Sequence, residues 1–507
     1  MFDFKTVSFD AEGDGGYRSL AQRIEPHLGK RSLIGFAPVL AVVHISDLHI
    51  CDAQSPARLP LTNRFGDPHH PLFHLVNGPV GNYRPQEMLS TQVVQAMLST
   101  INKVGRGPFS KRELDCVIMT GDLTDNAQKN EFSWLIHLLE AGTVVPNSGG
   151  PGYQGPGGDI YDVNFWNPHG TPPGEKGDHA REKYGFPTID QLLSAAVDSF
   201  TSEGLHLQTI PVHGNHDLLL QGTVPPNSEL RALLTGSARA IEIEDELGVL
   251  QAAEHFKPTG PVSWPSGGLF GYGSTTADKS REHIGEAQWI HDQREKYFTS
   301  ELNGVVFISL DTVNEHGGWD GSISITQFNW LHWRLQESEK SPVIILSHHP
   351  LDSLGNTYSP VGGEPRVGAD RIKQLLVSHP NVIAWLAGHS HRNRIVQVGG
   401  ERGFWHIETC SLIDWPQEAR LIELFRSGDE YVIVTTMFAH SSPVQATENK
   451  RPAKSLRLGN PKDLAGLSRE LAANDWQRRG PRGSVLELQG GQEDRNVFLP
   501  VSRGARE

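Results

Sequence analysis

Five short clusters in this chain carry the residue types that bind hard or borderline divalent cations. They are Asp47-Leu48-His49, Gly121-Asp122-Leu123-Thr124-Asp125, Gly214-Asn215-His216-Asp217, His348-His349-Pro350 and Gly388-His389-Ser390-His391. Carboxylate, amide and imidazole donors without cysteine suit such ions. Each cluster follows an apolar, strand-like run, so a parallel sheet can deliver all of them to one rim. The chemistry this suggests is hydrolysis assisted by two metal ions. In Gly388-His389-Ser390-His391 the histidines stand two apart, and an extended backbone turns both to one side. Gly121, Gly214 and Gly388 suit sharp turns where the chain leaves a strand tip.

The elements that must position these clusters follow from apolar periodicity. Residues 39–46 read as a buried strand ending at Asp47, and 85–104 as a helix with Met88, Val93, Met97, Leu98 and Ile101 on its apolar face. The pattern repeats with a strand over 114–120 and an amphipathic helix over 128–141. Further strands are predicted over 205–212, 305–310, 343–346, 382–386, 404–407, 419–424 and 431–438, with helices over 327–337 and 370–377. Alternating β and α runs of this kind make a layered α/β domain. Two insertions interrupt it. Residues 142–187 are rich in Gly and Pro, with Tyr153, Tyr161, Phe165 and Trp166 as aromatic anchors; 218–284 has a centre over 229–250 that reads as helical. Long loops beside a site often serve as lids or substrate walls.

The 507 residues allow one large domain with extras or two to three ordinary ones. A 37% hydrophobic and 21% charged composition is that of a globular protein. A net charge of -14 argues against a surface built to hold nucleic acid, which needs clustered Lys and Arg. The stretch from Lys450 onward is weakly basic and reads as a solvated terminus. Cys51, Cys116 and Cys410 are far apart, so neither a disulfide framework nor a zinc finger is indicated. The first residues lack the basic and apolar segments of a signal peptide, and no run is long enough to span a bilayer, so a cytoplasmic location is expected.

Asp-x-His, Gly-Asp-x-x-Asp, Gly-Asn-His-Asp, His-His-Pro and Gly-His-x-His, in this order, resemble the calcineurin-like metallophosphoesterase superfamily. The resemblance implies a four-layer αββα sandwich with long loop insertions. It divides the chain into an N-terminal extension over 1–37, the metallophosphoesterase domain over 38–440 with insertions at about 142–187 and 218–284, and a tail over 441–507. By the family pattern, Asp47, His49, Asp122 and His391 would hold one metal, and Asp122, Asn215, His348 and His389 the other. The ions would be divalent or mixed-valence Fe, Mn or Zn, with Asp122 bridging them. His216 would act as general acid or hydrogen-bond donor to the phosphoryl group, supported by the carboxylate of Asp125 or, alternatively, Asp217. His349 and His213 are candidates for orienting the ligands or for a purely structural role. Arg58, Arg64 and Asn82 are candidate phosphate clamps. His69, His70, His74, His169 and His179 read as solvated.

The implied activity is hydrolysis of a small phosphodiester by a metal-bridging hydroxide, with phosphomonoester hydrolysis by the same site as the alternative. Asp125 stands where purple acid phosphatases carry Tyr, and Asn126-Ala127 where phosphoprotein phosphatases carry Arg-Gly. What remains resembles the bacterial phosphodiesterase-type or uncharacterised branch. A non-catalytic scaffold on the same fold would be marked by lost ligands, and none is lost here.

Overall fold

Apolar runs flanked by turn residues become the inner strands of two six-stranded sheets. The computed structural model describes residues 2–12, 16–29, 31–61, 83–158, 161–243, 257–264, 270–285, 296–400, 403–444, 457–476 and 485–502. The first sheet begins with three parallel strands, β1 (Ala37–Ile45), β2 (Cys116–Thr120) and β3 (Thr209–Val212). The second sheet takes up β4 (Phe298–Leu302), β5 (Val305–Ser309), β6 (Val343–Leu346), β7 (Val382–Ala387), β8 (Arg394–Val398) and β9 (Phe404–Glu408). The chain then returns to the first sheet with β10 (Glu418–Ser427), β11 (Glu430–Ala439) and β12 (Phe498–Ser502). Spatially the orders are β12-β11-β10-β1-β2-β3 and β4-β5-β6-β7-β9-β8, each with parallel strands at its heart or on one side and antiparallel pairs beyond.

Period-two alternation sorts each inner strand between two cores. Leu40 and Val42 of β1, with Ile118 of β2, face Phe307, Ile344, Leu346 and Ile407 across the space between the sheets. Val43, Ile45, Val117 and Met119 face the other way, onto α1 (Ser90–Val104) and α2 (Lys129–Leu139) through Val93, Met97, Leu135 and Leu138. On the far side Ile308, Ile345 and Trp385 pack against α3 (Ile325–Glu337) and α4 (Ala369–Val377). The result is the αββα sandwich, with both faces of the parallel strands buried.

Register places the clusters. Ile45 pairs with Met119 and Thr120 with Val212, so β1, β2 and β3 end nearly level, and Asp47, Asp122 and Asn215 emerge at one rim. Leu346 pairs with Leu386 in the second sheet, which levels His348 with His389.

The weakly basic stretch is not a solvated tail over its described residues. In α5 (Pro461–Ala473), which packs along α1, every side chain from Asp463 onward is buried, and β12 extends the first sheet. The N-terminal hairpin Lys5–Glu12/Arg18–Ile24 packs with Val7 and Leu20 against Trp415 and Ala439. The helix expected over 229–250 is also shorter. It runs Ser228–Thr235, ends at Gly236, and gives way to the strand Ala238–Ile243, with 244–250 outside the described residues. Trp166 and Phe186 of one insertion meet Leu220, Leu230 and Leu234 of the other, together with Trp476, in a shared apolar cluster. Among the described residues no helix is long and apolar enough to cross a membrane.

Candidate metal centre

The rim residues are held in an uncommon backbone shape. Asp47, His49, Asp122, His389 and His391 have φ of 50, 42, 48, 65 and 56°, in the left-handed region that non-glycine residues seldom enter. Each costs on the order of 1 kcal/mol and persists only where surrounding contacts impose it. Here the loops clamp one another: Asp47 N donates to Gly121 O at 3.0 Å, His49 N to Asp122 O at 2.8 Å, and Leu412 N to Asp47 O at 3.1 Å. Of the three glycines expected at turns, only Gly121 has positive φ, at 91°. Gly214 and Gly388 are needed for close approach instead. A methyl group at Gly214 would overlap the Asp122 carboxylate, and one at Gly388 would overlap Ser46 Oγ and the Asp47 carboxylate.

Donor atoms of Asp47, His49, Asp122 and His391 all lie within 4.8 Å of one another, and all four residues are buried. His49 Nδ1 donates to Asp125 Oδ1 at 2.9 Å and His391 Nδ1 to Asp414 Oδ2 at 2.7 Å. With the proton fixed on Nδ1, each ring presents its Nε2 lone pair inward. The two Nε2 atoms face each other at 3.2 Å, with Asp47 Oδ1 3.3 Å from His391 Nε2 and Asp122 Oδ2 3.6 Å from His49 Nε2. Such a set of facing acceptors is repulsive without a positive charge at its centre. Burial disfavours a proton on His49 and, despite help from Asp125, holds its pKa down to about 4; burial also opposes a charge on His391, but Asp47 and Asp414 raise it.

Asp122 Oδ2 also faces a second group of donors. His348 Nδ1 donates to the Thr120 carbonyl at 2.8 Å, so its Nε2 points at Asn215 Oδ1, 2.9 Å away, and at Asp122 Oδ2, 3.3 Å away. Asn215 Nδ2 donates to the Gly222 carbonyl at 2.9 Å, which turns its oxygen inward. Burial opposes a proton on His348, yet Asp122 pulls its pKa up to about 9, again the mark of a spot that favours a cation. The His389 ring lies 5.1 Å from that of His348, centroid to centroid, and burial, then His348, press its pKa down to about 3. His349 stands beside them but donates from Nε2 to Trp319 O at 2.9 Å and accepts at Nδ1 from Thr312 Oγ1 at 2.7 Å. Both its nitrogens are engaged, so it braces the loop and has no lone pair to offer. The donor set therefore fits two cations sharing Asp122.

Around this centre the geometry revises several expectations. The Asp125 carboxylate bonds His49, while His216 Nδ1 donates to the Asp125 backbone carbonyl at 2.7 Å and sits 3.9 Å from its carboxylate. Asp217, the alternative partner, accepts from the backbone N–H groups of Gly214, Leu123 and Thr124 and ties two motif loops together. Neither carboxylate is the hydrogen-bond partner of His216. Arg58 is buried and ion-paired to Glu87 and Asp125, so it is no open phosphate clamp. His213 pairs with Asp311 at 2.9 Å. Arg64, Asn82, His69, His70 and His74 lie outside the described residues; His169 is exposed and His179 half-buried. Sequence reading missed Asp414, for which no local motif gave a signal.

Comparison with known proteins gives the family. The family model for calcineurin-like phosphoesterases matches residues 158–393, which take in Asn215, His348, His389 and His391. The chain is 30% identical over 292 residues to a protein from Xenopus laevis named manganese-dependent ADP-ribose/CDP-alcohol diphosphatase, a match covering 54% of this chain and 76% of that protein. A crystal structure of a dimetal phosphatase from Danio rerio aligns over 80% of this chain and 100% of that one, with 13% identity and a TM-score of 0.37. With motif order, sandwich and sequence match in agreement, the chain belongs to the calcineurin-like phosphoesterases and is a metal-dependent hydrolase of phosphoric esters.

Proposed function

We propose that the chain hydrolyses a small phosphodiester, with Asp47, His49, Asp122 and His391 holding one metal ion and Asp122, Asn215, His348 and His389 the other. The observation that carries this is the convergence of three imidazole Nε2 atoms, each with its Nδ1 already committed, on the carboxylates of Asp47 and Asp122. When bound, two such ions neutralise phosphoryl charge and make a water nucleophilic near neutral pH. Asp122 supplies the shared negative charge, and the neutral imidazoles and Asn215 complete the donor sets without cancelling the positive field. His216 holds its Nδ1 proton on the Asp125 carbonyl, so the imidazolium form carries its second proton on Nε2 and passes that one to the departing oxygen, leaving a neutral ring.

Manganese is the proposed metal, on the strength of the Xenopus laevis relative's name; iron and zinc suit the same donors. That relative's named substrates contain phosphorus atoms substituted twice, which supports the diester reading over the monoester one. Cys51, Cys116 and Cys410 are buried and unpaired, in keeping with the proposed cytoplasmic location.

The test is the initial rate on bis-p-nitrophenyl phosphate, ADP-ribose and p-nitrophenyl phosphate after metal removal and refilling with Mn, Zn or Fe. Faster turnover of the disubstituted substrates is expected. Preference for the monoester would overturn the diester assignment and leave a phosphatase.

A further inference from the structure

The two histidines that face each other at 3.2 Å are held from behind by carboxylates belonging to one connected network. From His49 Nδ1 it passes to Asp125 Oδ1 at 2.9 Å, then from Asp125 Oδ2 to Arg58 Nε at 3.2 Å and from Arg58 Nη1 to Glu87 Oε1 at 2.5 Å. Glu87 Oε2 accepts from the backbone N–H of Arg84 at 2.7 Å, Arg84 Nε meets Asp414 Oδ1 at 2.9 Å, and Asp414 Oδ2 accepts from His391 Nδ1 at 2.7 Å. The path thus runs from one of the two facing rings to the other. Every member is more than nine-tenths buried. Arg58 meets its two carboxylates at ion-pair distance, and the Arg84–Asp414 and Asp414–His391 contacts are well-formed hydrogen bonds.

Packing stability does not account for such a network. Burying each ion costs several kcal/mol, roughly, and apolar residues of equal volume usually serve stability as well or better. The placement points to another role. Asp125, Glu87 and Asp414 carry three negative charges against the two positive charges of Arg58 and Arg84, and the two outer carboxylates are spent on imidazole N–H groups directed at the metal centre. The loop bearing Asp414 is fixed to the first ligand loop by Leu412 N to Asp47 O at 3.1 Å. Gln86 Nε2 also donates to Ile413 O, at 3.1 Å. Among the described residues, the opposite half of the centre is anchored differently: His348 and Asn215 bond the backbone carbonyls of Thr120 and Gly222.

We propose that Asp414 is a positioning residue for His391, and that Arg84, Glu87 and Arg58 link it to Asp125 so that His49 and His391 are set as a pair for one cation. This rests on the reading that Asp47, His49, Asp122 and His391 hold a metal.

The experiment is calorimetric titration of Mn²⁺ into metal-stripped wild type, Asp414→Asn and Glu87→Gln, with thermal melts of the metal-free proteins alongside. Wild type should take up two ions. Asp414→Asn should weaken one of them by about 10- to 100-fold and leave the other unchanged, and Glu87→Gln should weaken the same ion by a smaller factor. A residue that merely holds the fold would lower the melting temperature without singling out one ion. Two ions bound by Asp414→Asn with unchanged affinities, or both weakened equally, would overturn the proposal while leaving the metal assignment intact. A wild type that takes up no Mn²⁺ would overturn both. If Asp414→Asn does not fold, the isosteric Glu87→Gln decides: selective weakening of one ion supports the network, and unaltered binding refutes it.

Discussion

Behind His49 and His391 stand the side-chain carboxylates of Asp125 and Asp414, whereas behind His348 and Asn215 stand the backbone carbonyls of Thr120 and Gly222. The first pair depends on residues gathered from positions 58, 84, 87, 125 and 414, the second on the ends of strands and the turn that follows β3. A carbonyl anchor is fixed once the sheet has formed. A carboxylate anchor adds negative charge as well as orientation, and it must be kept ionised by partners of its own. The two halves thus reach similar donor geometry by different routes, one through the backbone and one through buried ions, and substitutions should tell them apart.

Asp122 belongs to both halves, so Asp122→Asn should have the largest effect. Metal content should fall for both sites, and hydrolysis should drop by more than the roughly 100-fold expected for losing a residue that only orients a ligand. Elemental analysis showing two ions retained would place Asp122 outside the centre. Asn215→Ala should strike the carbonyl-anchored half alone, with one ion and most of the activity lost; unchanged stoichiometry with full turnover would remove it from the site. His216→Ala should spare both halves, keep two ions, and slow alkyl phosphodiesters by roughly 100-fold or more while affecting nitrophenyl esters less. Equal losses for good and poor leaving groups would contradict its role as proton donor.

The smallest effect concerns the floor between the halves. His44 is wholly buried, bonded to Thr120 Oγ1 and Thr409 Oγ1 at 2.8 Å each, and burial, then Arg420, push its pKa from 6.5 down to about 3. The unfolded chain accepts a proton below pH 6.5 that the folded one refuses. The stability carried by neutral His44 is therefore complete above pH 6.5 and lost as pH falls toward 3, at about 1.4 kcal/mol per pH unit. His44→Gln, which cannot titrate, should flatten this part of the acid-unfolding curve relative to wild type. Superimposable slopes would show that the folded chain accepts the His44 proton as readily as the unfolded one.

Much of this was legible because the inner strands are apolar on both faces. The predicted strand over 343–346 coincides with β6, and those over 39–46, 114–120 and 382–386 fall within a residue or two of β1, β2 and β7. Strands at the margins were not legible. Phe298–Leu302 and Arg394–Val398 are short, partly polar edge strands, and β12 lies in a stretch whose charge suggested solvent exposure. The left-handed backbone at five candidate ligands leaves no trace in composition, because none of the five is glycine. Asp414 could not be read either, since it reaches His391 only through the register of β9 and the docking of the following loop on Asp47. The partner of Asp125 was not legible either: three-dimensional packing hydrogen-bonds its carboxylate to His49 and leaves His216 3.9 Å away.

The most direct test of the whole account is titration of Mn²⁺ into chelator-stripped protein, with hydrolysis of a disubstituted phosphate followed at each point. The account expects two equivalents per chain and turnover that rises with occupancy. Turnover that persists in fully stripped protein, or saturation of binding without any hydrolysis, would contradict it.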